Sequence, residues 1–143
     1  MSAQPPATSP GTPIVPSTSP PLVLVADDSA DMCTLIREVL EGEGYEVITV
    51  GSGGRALREM SSRRPDLVIT DLLMPGMSGF SLRTLMLRRT ELADIPVIVL
   101  SAYWHRPSET LDVVDVLTKQ ISIDRLIESV RRSTGGVGEM PLP

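Results

Sequence analysis

Five acidic, hydroxyl or amine side chains follow four short apolar runs in this chain. They are Asp27 and Asp28 after residues 22–26, Asp71 after residues 67–70, Ser101 after residues 97–100 and Lys119 after residues 116–118. Carboxylates that repel one another cluster where a cation neutralises them. Mg²⁺ is the natural candidate, because it prefers oxygen ligands and takes only a few carboxylates.

The apolar runs alternate with segments of helical periodicity, a pattern typical of parallel strands joined by crossover helices. The carboxyl ends of parallel strands lie on one edge of a sheet, where open α/β sheets bind their ligands. We therefore expect three carboxylates, one hydroxyl and one ammonium to converge there, although almost a hundred residues separate the first from the last.

The pattern predicts five strands and five helices in strict alternation. The predicted strands are residues 22–26, 45–50, 67–70, 97–100 and 113–118. The predicted helices run from a cap at Ser29 to about residue 43, around residues 56–60, over residues 80–89, from near Pro107, and from a cap at Ser122. Apolar faces are expected from Met32, Leu35, Ile36, Val39 and Leu40 in the first helix and from Ile123, Leu126, Ile127 and Val130 in the last.

Length and composition suit one acidic domain. The 143 residues carry a formal net charge of -5, which argues against non-specific nucleic-acid binding. No apolar stretch has the length of a membrane span, and the N-terminus lacks the features of a signal peptide, so a reducing cytoplasm is the expected compartment. The single cysteine, Cys33, is expected to be a buried apolar residue. The expected domains are a disordered proline-rich arm (residues 1–21), a folded domain (22–133) and a flexible tail (134–143).

Several strings resemble the receiver domain of bacterial response regulators. They are LVLVADDSADM, DLVITDLLMPGMSGFSL, IPVIVLSA and VLTKQ, and the resemblance covers about residues 22–132. DLLMPGMSG after an apolar strand is the most specific of these signals. The resemblance implies a flavodoxin-like doubly wound α/β fold with strand order 2-1-3-4-5.

The resemblance also implies a role for each residue at the predicted sheet edge. Asp71 would accept a phosphoryl group from a phosphohistidine, while Asp28, Asp71 and the backbone carbonyl of Leu73 would bind Mg²⁺ directly. Asp27 would act mainly through metal-bound water. Ser101 and Lys119 would each contact one phosphoryl oxygen, and Lys119 would pair with Asp71 before phosphorylation. Such a division suits phosphoryl transfer, which depends mostly on positioning and on neutralising the equatorial oxygens.

Three features depart from the family pattern. Val116 stands where the family usually has Tyr or Phe, and it is too small and stiff to act as the usual aromatic switch. Gln120 replaces a proline after Lys119, so the Lys119–Gln120 peptide bond is expected to be trans. Lys119 follows Ser101 by 18 residues, about one helical turn less than usual, so the fourth helix is expected to be short or irregular.

The leading interpretation is a stand-alone receiver that is phosphorylated on Asp71 and is not an enzyme acting on other substrates. Its expected partners are a sensor histidine kinase or phosphotransfer protein and a downstream protein target, with no nucleic acid and no membrane. Bulky neutral residues at Leu73 and Tyr103 predict slow self-dephosphorylation. A binding module without phosphorylation control is the alternative. A phosphatase of the haloacid dehalogenase type is disfavoured, because Asp71-Leu72-Leu73 lacks the second acid of an Asp-x-Asp motif.

Overall fold

The computed structural model describes residues 19–102, 112–120 and 122–136, which build one parallel sheet with helices on both faces. The strands are β1 (Leu22–Ala26), β2 (Glu46–Val50), β3 (Leu67–Asp71), β4 (Val97–Ser101) and β5 (Asp115–Thr118). All four strand pairs are parallel and the spatial order is β2-β1-β3-β4-β5. The predicted doubly wound fold is therefore confirmed.

Five helices occur in the described part of the chain. They are α1 (Ala30–Gly42), α2 (Gly53–Ser62), α3 (Gly79–Leu87), α4 (Thr90–Ala93) and α5 (Ile123–Thr134). The predicted caps are confirmed, since the Ser29 and Ser122 side chains accept the N–H groups of Met32 and Arg125, each at 3.2 Å. These bonds satisfy donors that a helix N-terminus otherwise leaves unpaired.

The segment between β3 and β4 differs from the prediction of one helix over residues 80–89. α3 ends at Leu87, and the N–H groups of Arg88 and Arg89 turn back to the carbonyls of Leu85 and Met86. Arg89 is then extended and immediately precedes the four-residue α4. The predicted helix near Pro107 falls in residues 103–111, outside the described residues, as do residues 1–18 of the arm and 137–143 of the tail.

Alternate residues of the central strands form two separate cores. Val23 and Val25 of β1 face α1 and α5, whereas Leu24 and Ala26 face α2, α3 and α4. This division follows from the two-residue period of a strand. Because both faces are covered, the central strands β1, β3 and β4 are mostly apolar, and Asp71 and Ser101 occupy the last positions of β3 and β4.

Two apolar residues that were expected on helix core faces remain uncovered. Leu35 of α1 is 47% exposed and Ile123 of α5 is 49% exposed. Ile36 and Leu40 point from α1 into the core, and Leu35 lies one residue away, about 100° around the helix. The apolar stripes of α1 and α5 are therefore wider than the strip that packs against the sheet.

Cys33 is buried as predicted, and none of the described helices is long and apolar enough to cross a membrane.

Candidate functional site

The register of the sheet brings the predicted site residues to its carboxyl edge. Asp71 and Ser101 are the last residues of β3 and β4, while Asp27 and Lys119 directly follow β1 and β5. Asp71 lies opposite Leu100 and Ser101 lies opposite Thr118 in the ladder, so these strands end at nearly the same level. The convergence predicted from the apolar runs is present in the structure.

The three carboxylates form one cluster. Asp27, Asp28 and Asp71 each place an oxygen within 4.8 Å of the other two. Asp27 and Asp71 are buried, with 2% and 5% of their surface exposed, whereas Asp28 is exposed. Backbone donors hold the buried pair: the N–H of Ser29 donates to Asp27 Oδ1 at 2.9 Å, and the N–H of Leu73 donates to Asp71 Oδ1 at 3.4 Å.

Lys119 neutralises part of this charge. Its Nζ lies 3.0 Å from Asp27 Oδ2 and 3.2 Å from Asp71 Oδ2, while its backbone N–H donates to the Ser101 carbonyl at 2.7 Å. The ammonium thus bridges both buried acids, which the expected pairing with Asp71 alone did not include. Such a bridge brings the β1, β3 and β5 ends together.

The electrostatics of the cluster are not fully balanced. Burial raises the pKa of Asp71 above the ordinary value, the charge of Asp27 raises it further, and Lys119 and the Leu73 N–H only partly oppose this. Burial alone would lower the pKa of Lys119, but its hydrogen bonds to Asp27 and Asp71 outweigh that effect and raise it. A positively charged Lys119 therefore faces an excess of negative charge that one more cation would relieve.

The donor set fits Mg²⁺ by its chemistry. Three carboxylates supply hard oxygen ligands, and the exposed Asp28 lines an open cleft together with Asp27 and Arg55. Leu73 lies two residues after Asp71, in the loop that follows β3, and is 63% exposed. Its backbone carbonyl stays a predicted ligand, and so does the predicted contact of the buried Ser101 hydroxyl with a phosphoryl oxygen.

A close backbone approach beside Asp71 was not predicted. Gly79, the first residue of α3, lies so near that a Cβ there would sit 2.6 Å from the Asp71 carbonyl oxygen. Its N–H donates to the Leu72 carbonyl at 2.8 Å, which closes the loop after β3. The last glycine of the motif MPGMSG is the sequence signal for this contact, because glycine lets two backbones approach closely.

Two of the three departures from the family pattern, at Val116 and Gln120, lie in the described part of the chain. Val116 is half-buried, pairs with Val99 in β4 and packs against the core on the α2–α3–α4 face. The Lys119–Gln120 bond is trans as predicted, since no cis peptide bond occurs among the described residues. Tyr103 lies outside the described residues, so its expected effect on self-dephosphorylation stays a prediction.

Comparison with known sequences identifies relatives of this arrangement. The sequence profile described as the response regulator receiver domain matches residues 23–131. The sensor histidine kinase TmoS of Ectopseudomonas mendocina is 44% identical over 93 residues, which are 65% of this chain and 9% of TmoS. The DNA-binding response regulator MtrA of Mycobacterium tuberculosis is 32% identical over 117 residues, covering 76% of this chain and 48% of MtrA. The chain thus spans half or less of the length of these two relatives.

A relative of similar length and a solved structure complete the comparison. Sporulation initiation phosphotransferase F of Bacillus subtilis is 31% identical over 116 residues, covering 77% of this chain and 90% of that protein. The structure of response regulator TrrA from Thermotoga maritima, in complex with Mg²⁺ and BeF, superposes with a TM-score of 0.73 at 33% identity. That match covers 79% of this chain and 98% of TrrA.

Proposed function

From the premise that this chain belongs to the response regulator receiver domain family, we propose that Asp71 accepts a phosphoryl group in a Mg²⁺-dependent phosphorelay. The donor is a phosphohistidine on a sensor histidine kinase or a phosphotransfer protein. The observation that carries the proposal is the Asp71 carboxylate at the end of β3, 3.2 Å from Lys119 Nζ and clustered with Asp27 and Asp28.

The transfer forms a P–O bond to an Asp71 carboxylate oxygen and breaks the P–N bond of the phosphohistidine. The electron pair of the broken bond stays on the imidazole nitrogen, which takes a proton, and an aspartyl phosphate remains. Lys119, already within reach of Asp71, neutralises one phosphoryl oxygen, and the Ser101 hydroxyl binds another. The chain thus contributes positioning and charge, which are the main requirements of phosphoryl transfer.

The acidic cluster would hold the metal. Asp28 and Asp71, with the Leu73 carbonyl, are the proposed direct ligands, and Asp27 is proposed to act through water. Bound Mg²⁺ would neutralise charge on the third phosphoryl oxygen. The complex that the similar protein TrrA forms with Mg²⁺ and BeF supports this assignment.

The proposed output is contact with a protein, either a downstream target or the next member of a relay. The similarity to a sporulation phosphotransferase over 90% of that protein supports a relay role. We propose that the chain works in the cytoplasm and acts as a phosphoacceptor without turning over other substrates. The bulky Leu73 is proposed to slow hydrolysis of the aspartyl phosphate.

Intact mass after incubation with acetyl phosphate and Mg²⁺ tests the proposal directly. We expect one added phosphoryl group, absent when EDTA removes the metal before acetyl phosphate is added and absent in Asp71→Asn. Transfer from a phosphorylated histidine phosphotransfer protein is the second donor to use, because receivers differ in accepting small donors. Absence of an adduct from both donors would contradict the proposal.

A module that binds partners without phosphorylation is the second candidate. Val116, half-buried at the position of the usual aromatic switch, favours it. Beryllofluoride with Mg²⁺ separates the two candidates, because a phosphoacceptor site binds this phosphoryl mimic. A change in Trp104 fluorescence that Asp71→Asn abolishes would support the phosphoacceptor, whereas no mimic binding in calorimetry would support the second candidate.

A further inference from the structure

An open apolar groove lies between α1 and α5. Its walls include Met32, Leu35 and Val39 of α1 and Ile123 and Leu126 of α5, and Lys119 borders it beside the candidate site. Leu35 and Ile123 are the two of these that are about half exposed. Uncovered aliphatic side chains that line one groove are typical of a binding surface.

The chain enters the domain beside the end of α5. Ser19, Pro20 and Pro21 share a cleft with Asp66 and Thr134, the last residue of α5. The Pro21 carbonyl accepts the Glu46 N–H at 3.0 Å, which fixes the entry point at the start of β1. Residues that precede Ser19 therefore leave the domain at the foot of the helix that forms one wall of the groove.

The sequence just before this point has the chemistry of the groove. Residues 1–18 contain no charged side chain, and Ile14 and Val15 stand between Pro13 and Pro16. Prolines restrict the unbound chain and so reduce the conformational entropy lost on binding. A pair of β-branched aliphatic residues between prolines is a suitable ligand for an aliphatic groove.

The reach of the arm before Ser19 matches the length of α5 from Thr134 to Ile123. Ile14 precedes Ser19 by five residues, a reach of about 16 Å in an extended proline-rich conformation. Ile123 precedes Thr134 by eleven residues, which is about 17 Å along α5 at the α-helical rise. The arm would cross the Glu43–Arg131 ion pair, whose atoms are 2.7 Å apart and which joins the ends of α1 and α5. An arm extended along α5 would therefore be long enough to bring Ile14 level with the exposed Ile123.

We propose that residues 13–16 bind in the α1–α5 groove of the same molecule, with Ile14 and Val15 against Leu35 and Ile123. The short connection to Ser19 keeps this segment at an effective concentration of order mM, so a weak site is still occupied. The binding itself requires no phosphorylation, so it is testable whether or not the proposed function holds.

Paramagnetic relaxation in the full chain measures this contact. A nitroxide is attached to Thr12→Cys. The parent chain treated with the same reagent is the control, and it should stay unlabelled because Cys33 is buried. Burial also raises the pKa of the Cys33 thiol, which slows its labelling. We expect amides of Met32, Leu35 and Ile123 to lose about half of their intensity or more, as for a site occupied in about half of the molecules. Amides of α3, on the opposite face of the sheet, should keep theirs.

Matched variants establish which side chains are responsible. Ile14→Ser with Val15→Ser should restore the groove signals, whereas Ala3→Ser with Ala7→Ser should not. Leu35→Ser should restore them, but Leu87→Ser, at an α3 residue 40% exposed, should not. Unaffected groove amides, or losses that persist in the Ile14 and Val15 variant, would overturn the proposal. Losses seen only when nitroxide-labelled and isotope-labelled chains are mixed would make a second copy the occupant, which would also overturn it.

Discussion

Replacing Lys119 by methionine removes the chain's only lysine while keeping most of its aliphatic length. At 3.0 and 3.2 Å, each attraction to Asp27 and Asp71 is worth about 5 kcal/mol with an effective dielectric constant near 20. The Lys119 side chain is only 19% exposed, so burying its charge offsets much of that sum. Removing one partner of a buried charge cluster typically costs about 3–5 kcal/mol, and we expect about 3 kcal/mol here at pH 7.5 without Mg²⁺.

The stability lost on replacing Lys119 by methionine should be larger at high pH than at low pH. The pKa of Asp71 is already raised in the folded state, so this group contributes stability at low pH that is lost as pH rises through the folded pKa. Without the ammonium of Lys119 that pKa rises further. The difference in stability between wild type and Lys119→Met should therefore be largest near pH 7.5 and smaller at pH 5.

Urea denaturation at the two pH values, with and without Mg²⁺, measures these differences. Mg²⁺ should stabilise Lys119→Met more than wild type, because a cation replaces the missing charge. The control is Arg131→Met, whose exposed ion pair should contribute less than about 1 kcal/mol. Equal loss at both pH values, or a loss no larger than the control's, would refute the account of the cluster.

Three further substitutions have definite expectations. Gly79→Ala should destabilise the fold by about 1–3 kcal/mol in urea denaturation, because its Cβ meets the Asp71 carbonyl oxygen, whereas Gly53→Ala meets only the flexible Met77 side chain and should cost less. Arg83→Met should lower the free energy of unfolding by about 3 kcal/mol in the same measurement, since the buried guanidinium donates to three backbone carbonyls. Arg88→Met, at an exposed helix end, is the matched control. Leu73→Asn should shorten the phosphate lifetime in a mass time course and leave stability nearly unchanged, as the side chain is exposed; an unchanged lifetime would contradict the predicted role.

The polar residues at strand ends were the most predictable part of the molecule. Alternating apolar runs and helical segments indicate a parallel sheet, and a parallel sheet places all its strand ends on one edge. Asp27, Asp71, Ser101 and Lys119 therefore meet as expected. The serine caps were equally predictable, because a cap bond forms between residues three apart in the chain.

Other features depend on contacts between distant residues. The sequence did not show that Lys119 bridges Asp27 as well as Asp71, since that choice depends on distances between three strand ends. It did not show that Arg83 is buried, with its guanidinium bonded to the carbonyls of Ala93, Ile95 and Asp112.

The uncovered apolar side chains were also predictable only in part. Helical periodicity correctly placed Leu35 and Ile123 on the apolar sides of α1 and α5. It did not predict that about half of each residue would be exposed. Periodicity reports the direction of a side chain around its own helix. How much of an apolar stripe is buried depends on the width of the sheet and on the spacing of α1 and α5 above it. Local pattern thus determined the elements and the residues at their ends, and tertiary packing alone decided which charges pair and which apolar surface stays open.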